Sequence, residues 1–165
     1  MSIALVSLHA EEWIVVNDDV MGGRSTGAVH NEGDRLGFSG SLNTKGGGFA
    51  SIRSNGLNGS LSSANGIIVR VLGDGRPYAC DLRDAPRVSG SGVSWKVTFK
   101  TELSATTDIR LPFSAFVPTW RGRVLSLKEL GRPTPFQNTA GSIGFTIADG
   151  TDGPFRLEVM AIAAF

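Results

Sequence analysis

The sequence predicts an all-β fold whose antiparallel strands stack as a sandwich or close into a barrel. Apolar and polar residues alternate with period two in most of its apolar stretches, the pattern of half-buried strands. Clusters of Gly, Asn and Asp punctuate those stretches at Asn31–Gly33, Gly46–Gly48, Asn55–Gly59, Gly73–Gly75, Ser89–Gly92 and Gly150–Gly153. Helical patterning is sparse. Among 165 residues, 22 glycines, 19% charged and 41% hydrophobic residues suit a tightly turned β domain that buries a core.

At the start, MSIALVSLHAEEW reads as a first strand rather than a signal peptide, because it lacks a basic leader and its apolar run breaks at Ser7 and His9. Strands are expected at 26–31, 35–42 and 47–53. NGIIVRVLG, 65–73, is apolar on both faces and predicts a strand covered on both sides. PYACDLR points Tyr78, Cys80 and Leu82 inward. VSWKVTFK, 93–100, turns Val93, Trp95, Val97 and Phe99 one way and Ser94, Lys96, Thr98 and Lys100 the other. DIRLPF buries Ile109, Leu111 and Phe113. VLSLKEL, 124–130, supplies about two helical turns closed by Gly131, and Pro133 and Pro135 extend the chain after it. SIGFTIA buries Ile143, Phe145 and Ile147; FRLEVMAIA sets Phe155, Leu157, Val159 and Ala161 on one face. Glycines beside core aromatics in LGFSGSL, GGFASIR and IGFTIAD admit close neighbours. With no composition break, residues 1–165 are expected to form a single β-sandwich domain.

Several chemistries lack their residues. The net charge is +1, from 16 basic and 15 acidic residues without a basic run, so nucleic-acid binding is not expected. Cys80 alone cannot form an internal disulfide, and His9 and His30 have no second His or Cys at ligand spacing. No phosphate-binding, dinucleotide or G-x-S-x-G signature occurs, and ADGTDG, 148–153, lacks the order of a calcium loop and reads as a turn. No catalytic residue, metal or cofactor is expected. No apolar run approaches the ~18 residues of a membrane span, so a cytoplasmic protein without membrane insertion is expected.

Four stretches stand out. In NDDVMGGRS, 17–25, Asn17 and Asp18 can fix a turn, Val20 and Met21 would be buried plugs, and Arg24 could take a carboxylate from Asp18 or Asp19. Adjacent Asp18 and Asp19 point to opposite faces of an extended chain, which disfavours a paired-carboxylate hydrolase, although Asp74 or Asp81 could complete a pair in space. In VLGDGRPYACDLR, Asp74 lies in a turn with Arg76 just after it. In GGGFASIRS, Phe49 and Arg53 fall on the side opposite Ala50 and Ile52. In FVPTWRGR, Trp120 and Arg121 could stack on a sugar ring or a partner side chain. Arg24, Arg53, Arg76, Trp120 and Arg121 would meet an acidic or hydroxyl-rich partner, with Asp18, Asp19 and Asp74 positioning the arginines.

WIVVNDDVMGGRSTG, LGFSGSLNTKGGGFASIRS, GDGRPY, LPFSAFVPTWRGR and IGFTIADGTDGPFRLEVMAI, in that order, resemble the complex I intermediate-associated protein 30 family over about residues 13–163. The resemblance implies a galactose-binding-domain-like jelly-roll β-sandwich. It also implies a chaperone-like assembly factor for respiratory complex I, as in the mitochondrial members. Photosynthetic relatives join the module to a nucleotide-binding reductase-like domain that this chain does not carry. No mitochondrial transit segment is read at the start, so the assembly role is carried over by analogy. The expectation is a non-catalytic protein-binding module, with complex I intermediates as clients and any membrane reached through a partner. A carbohydrate-binding module with a sugar ligand is the alternative, and a small hydrolase ranks third.

Overall fold

Strand alternation and turn chemistry build β1 (Trp13–Asn17), β2 (Thr26–Glu32), β3 (Arg35–Leu42), β4 (Ala50–Ser54), β5 (Gly66–Leu72), β6 (Tyr78–Asp84), β7 (Ser94–Phe99), β8 (Thr106–Pro112), β9 (Val117–Trp120) and β10 (Arg123–Val124). A one-turn helix, α1 (Leu127–Leu130), precedes β11 (Ala140–Ile147) and β12 (Gly153–Ala164). The structure, a computed structural model, describes residues 4–84, 92–131 and 136–165. The strands form a seven-stranded sheet, β1-β4-β11-β6-β7-β9-β10, and a five-stranded sheet, β2-β3-β12-β5-β8. Every recorded pairing is antiparallel. The result is an all-β jelly-roll sandwich of the galactose-binding-domain-like type.

Period-two alternation fills the space between the sheets. Ala50, Ile52, Tyr78, Cys80, Leu82, Ile143, Phe145 and Ile147 enter from the larger sheet, and Leu36, Phe38, Ile67, Val69, Val71, Leu157 and Val159 from the smaller one. At one end Trp95 stacks flat on Phe136, ring centroids 4.3 Å apart. The glycines beside aromatics are places of close approach. A Cβ on Gly144 would meet the Ile52 carbonyl oxygen at 2.6 Å, and one on Gly40 would strike the Thr26 carbonyl oxygen across the β2–β3 pair.

Four local expectations need correction. The N-terminal stretch is no strand over its described residues: Val6 is buried in the core, Ala10–Glu12 form a 3-10 turn, and β1 starts only at Trp13. The Ala10 N–H donates to Asn31 Oδ1 on β2 and the Trp13 indole N–H donates to Ser7 O, so side-chain contacts rather than a ladder tie this stretch to the sandwich. In β12 the pairing with β5 slips between Val159 and Ala161. Met160 is the extra residue, parity inverts beyond it, and Ile162 rather than Ala161 is buried. The outer face of β5 is not covered: Arg70 is exposed there and pairs with Asp108 at 2.7 Å. The helix is a single turn because Val124 belongs to β10; a Ser126–Glu129 capping box opens it and left-handed Gly131 closes it. Pro133, Pro135 and most of the Ser89–Gly92 turn lie outside the described residues. Among the described residues no helix is long and apolar enough to cross a membrane.

Candidate functional site

Asp18 is the hub of the first motif. It opens a 3-10 turn, Asp18–Met21, and is 0% exposed. Ser25 donates to it twice, from its N–H to Oδ1 at 2.9 Å and from its hydroxyl to Oδ2 at 2.6 Å. The N–H groups of Gly48 and Phe49 donate to Oδ2 at 2.7 and 3.3 Å, and Asp18 returns its own N–H to Phe49 O at 3.2 Å. Burial pushes the carboxyl upward in pKa, but the Ser25 hydroxyl and the three N–H donors outweigh it, and the group titrates below the usual range. Gly23 and Gly47 pack on this carboxylate. A Cβ on either would come within 2.7 Å of Oδ2, so the double glycines of GGRS and GGGF make room for Asp18.

This hub joins two loops that the sequence kept apart. It also corrects the roles assigned to their neighbours. Asp18 binds Ser25 and the 48–49 backbone, not Arg24. Arg24 and Asp19 are exposed, and neither side chain makes an ion pair among the described residues. Val20 and Met21 are not plugs: they stand 69% and 71% exposed. A 3-10 turn has three residues per turn, so turning Asp18 inward leaves Asp19 and Val20 to face out; Met21, the last residue before left-handed Gly22, is exposed where the turn ends. Ser25 escaped notice in the sequence, where nothing local marks it as a carboxylate's partner.

The second cluster lies at another loop. Asp74 accepts the Arg76 N–H at 3.0 Å, the Tyr78 hydroxyl at 3.0 Å and the Arg156 N–H at 2.7 Å. It holds Arg76 by the backbone, whereas the guanidinium goes to Asp149, Nε and Nη2 donating at 2.8 and 2.6 Å. Nη1 also donates to the Gly153 and Pro154 carbonyls at 3.1 and 2.9 Å. Arg76 therefore clamps the β11–β12 turn. This explains why ADGTDG carries an acid at 149, which only strand order could reveal. Arg76's hydrogen bonds hold Asp149 below the carboxylate range in pKa, against the opposing effect of burial.

The outward face of the larger sheet carries the third group. Register aligns Ile14, Arg53, Gly144, Asp81, Lys96 and Val117 in one row across β1, β4, β11, β6, β7 and β9. Asp81 is buried. Thr146 donates to its Oδ2 at 2.8 Å, and Lys96 Nζ lies 3.3 Å from Oδ1, an ion pair without hydrogen-bond alignment. Beside this row, Ala79, Lys96, Thr98, Thr119 and Thr146 line a shallow pocket of about 260 Å³. Arg53 lies half-buried on this face, and Phe49 sits one residue before β4. Trp120 and Arg121 do not join them. Arg121 and Gly122 have φ of 49° and 78°, the two positive values of a tight hairpin between β9 and β10. Arg121 Cζ sits 4.7 Å from the Trp120 ring centroid, and Trp120 shares its strand side with inward Pro118. The site residues expected from sequence thus fall into separate clusters.

A sequence profile of the complex I intermediate-associated protein 30 family matches residues 6–159. The mitochondrial complex I intermediate-associated protein 30 of mouse (Mus musculus) is 32% identical over 106 residues, 63% of this chain and 31% of its own length. The chain thus aligns with about a third of that relative. Among solved structures, a family 11 carbohydrate-binding module of Clostridium thermocellum in complex with a mixed-linked tetrasaccharide superposes with a TM-score of 0.61, at 16% identity, covering 91% of this chain and 89% of that one. The family 11 module of the cellulosomal cellulase Lic26A-Cel5E from the same organism gives 0.62 at 16% identity, covering 98% and 96%. These likenesses establish the shared fold.

Proposed function

We propose, from the fact that this chain belongs to the complex I intermediate-associated protein 30 family, that it is a non-catalytic, chaperone-like module that captures protein partners, with assembly intermediates of respiratory complex I as clients. One observation carries the protein-binding reading. The first motif buries a carboxylate completely, fixes it with four donors, and uses that anchor to hold Val20 and Met21 out in water. Exposed apolar side chains on a rigid base are arranged for docking, because little ordering entropy is left to lose on contact. Full burial of one such side chain contributes about 1.5–3 kcal/mol, so covering the exposed two thirds of both gives roughly 2–4 kcal/mol.

The sugar-binding alternative shares the fold but has less chemistry to support it. A sugar platform needs an aromatic ring facing outward among polar groups. On the outward face, Ser51 and Arg53 of β4, Ser142, Gly144 and Thr146 of β11, Ala79, Asp81 and Arg83 of β6, and Ser94, Lys96 and Thr98 of β7 include no aromatic residue. The test is affinity capture from detergent-solubilised respiratory membranes, run beside a glycan array. Recovery of complex I subunits by the native chain, reduced at least fivefold by Val20→Ser with Met21→Ser, is the expected result. Sugar-selective binding without complex I subunits would overturn the proposal.

A further inference from the structure

On the smaller sheet and the loop after it, most arginines are matched to acids, and Arg110 instead lies over the Phe165 ring, its Cζ 3.5 Å from the centroid. Arg35 pairs with Glu158, Arg70 with Asp108, Arg76 with Asp149, and Arg156 with Glu32 and Glu158. On the larger sheet Arg123 pairs with Glu129 at 2.7 Å, but two arginines have neither an acid nor a ring partner among the described residues. Arg53 and Arg83 lie on its outward face, two strands apart on either side of β11, and both are half-buried. Neither has a carboxylate within ion-pair distance among the described residues. The segments outside the description, 1–3, 85–91 and 132–135, contain no Asp or Glu. Among the described residues the Arg83 guanidinium makes one hydrogen bond, a long one from Nη1 to Gly92 O at 3.4 Å.

The acids nearby are already committed. Asp81 is held by Thr146 and Lys96. Asp84, two residues on from inward Leu82, lies on the opposite side of the strand from Arg83 and accepts the Thr139 hydroxyl at 2.7 Å. Arg53, Arg83 and Lys96 therefore face one carboxylate, and the patch keeps an excess of positive charge. Burial and the like charge of Arg83 both lower the pKa of the Arg53 guanidinium, with Asp81 pulling the other way. Between the two arginines the outward positions of β11 are Gly144 and Ser142, one without a side chain and one with a short hydroxyl. The gap spans two inter-strand steps, roughly 10 Å between backbones, which two long arginines can bridge around one planar anion.

We propose that Arg53 and Arg83 form a carboxylate-binding cradle on the outward face of the larger sheet, and that it seats an acidic segment of the client polypeptide. This rests on the reading of the chain as a protein-binding module and gives that module a partner chemistry. An acid satisfies both guanidiniums and relieves their mutual repulsion. Ile14 stands beside Arg53 in the cross-strand row and is 48% exposed, so an apolar residue adjoining the acid finds its contact there. The preferred segment alternates acidic and apolar residues.

The test titrates the full chain, by calorimetry at low and moderate salt, with a capped peptide of alternating Glu and Leu, its Gln-for-Glu counterpart, and polygalacturonate. Saturable binding of the Glu peptide, weakened by salt, absent for the Gln peptide and reduced at least tenfold in the R53Q/R83Q double variant, is expected. The variant's thermal midpoint should be unchanged or higher, since a repulsion has been removed. A lowered midpoint would mark the arginines as structural and overturn the cradle. So would equal affinity of the native chain and the variant, or binding of polygalacturonate without the peptide. The same variant is run in the membrane capture. Undiminished recovery of complex I subunits together with failed peptide binding sinks the cradle alone; intact peptide binding without subunit recovery sinks the assembly reading alone.

Discussion

Replacing Asp18 tests the central geometry most directly. Asp18→Asn keeps shape and removes charge. The amide nitrogen must take the place of one oxygen, and the cheaper choice is Oδ1, which faces the single Ser25 N–H; Oδ2 faces three donors. An orphaned buried donor costs about 1–3 kcal/mol, and charge-assisted bonds that become neutral lose about 1 kcal/mol each, so a net loss of about 3 kcal/mol follows after partial relaxation. Asp18→Ala leaves all the donors without an acceptor and should cost about 5 kcal/mol, at the upper end for one substitution. Urea unfolding measures both, and for a chain of this size the Asn variant should melt roughly 6–12 °C lower. Amide exchange should quicken first at Ser25, Gly48 and Phe49, whose N–H groups the carboxylate holds. An alanine variant within about 1 kcal/mol of the native chain would refute the account of Asp18 as the anchor of both loops.

Acid should weaken the fold in a definite window. Asp18 and Asp149 both titrate below their ordinary values, so they stabilise the protein above the unfolded carboxylate range, near ~3.9, and that contribution is lost as pH falls through their folded values. Thermal melts from pH 7 to 3 should show the midpoint falling steeply only below about pH 4, and less steeply in Asp18→Asn. Arg76→Met strands Asp149, which keeps little solvent contact, and should cost about 3 kcal/mol; in a double-mutant cycle, adding Asp149→Asn should recover part of that loss. Gly40→Ala puts a Cβ against the Thr26 carbonyl and 2.8 Å from Gly27 Cα, so it should cost at least ~2 kcal/mol by overpacking in chemical denaturation, whereas Gly33→Ala, at an open turn, costs only backbone strain.

The clusters differ in how they use charge. At Asp18 and Asp149 a buried acid is saturated by donors and organises loops, so its chemistry is spent on the fold. Arg53 and Arg83 are the reverse case: half-buried cations with no carboxylate partner among the described residues.

Much of the architecture was legible because alternation is a local property. Tyr78, Cys80 and Leu82, or Ile143, Phe145 and Ile147, declare their faces within a few residues, and those faces became the core. The motifs beginning at Asn17 and Gly46 likewise announced their family and their turns. Tertiary structure decided the partners. Asp18 meets Gly48 across 30 positions and Arg76 meets Asp149 across 73, contacts fixed by strand order, which period-two patterning leaves open. The same holds for exposure. Val20 and Met21 look like core in the sequence but face water on the turn that a buried aspartate opens, and a one-residue bulge at Met160 exchanges Ala161 for Ile162. Which residues are apolar, and how often, is written along the chain. Which of them meet, and which are left facing solvent, depends on free-energy terms that exist only once distant strands have come together.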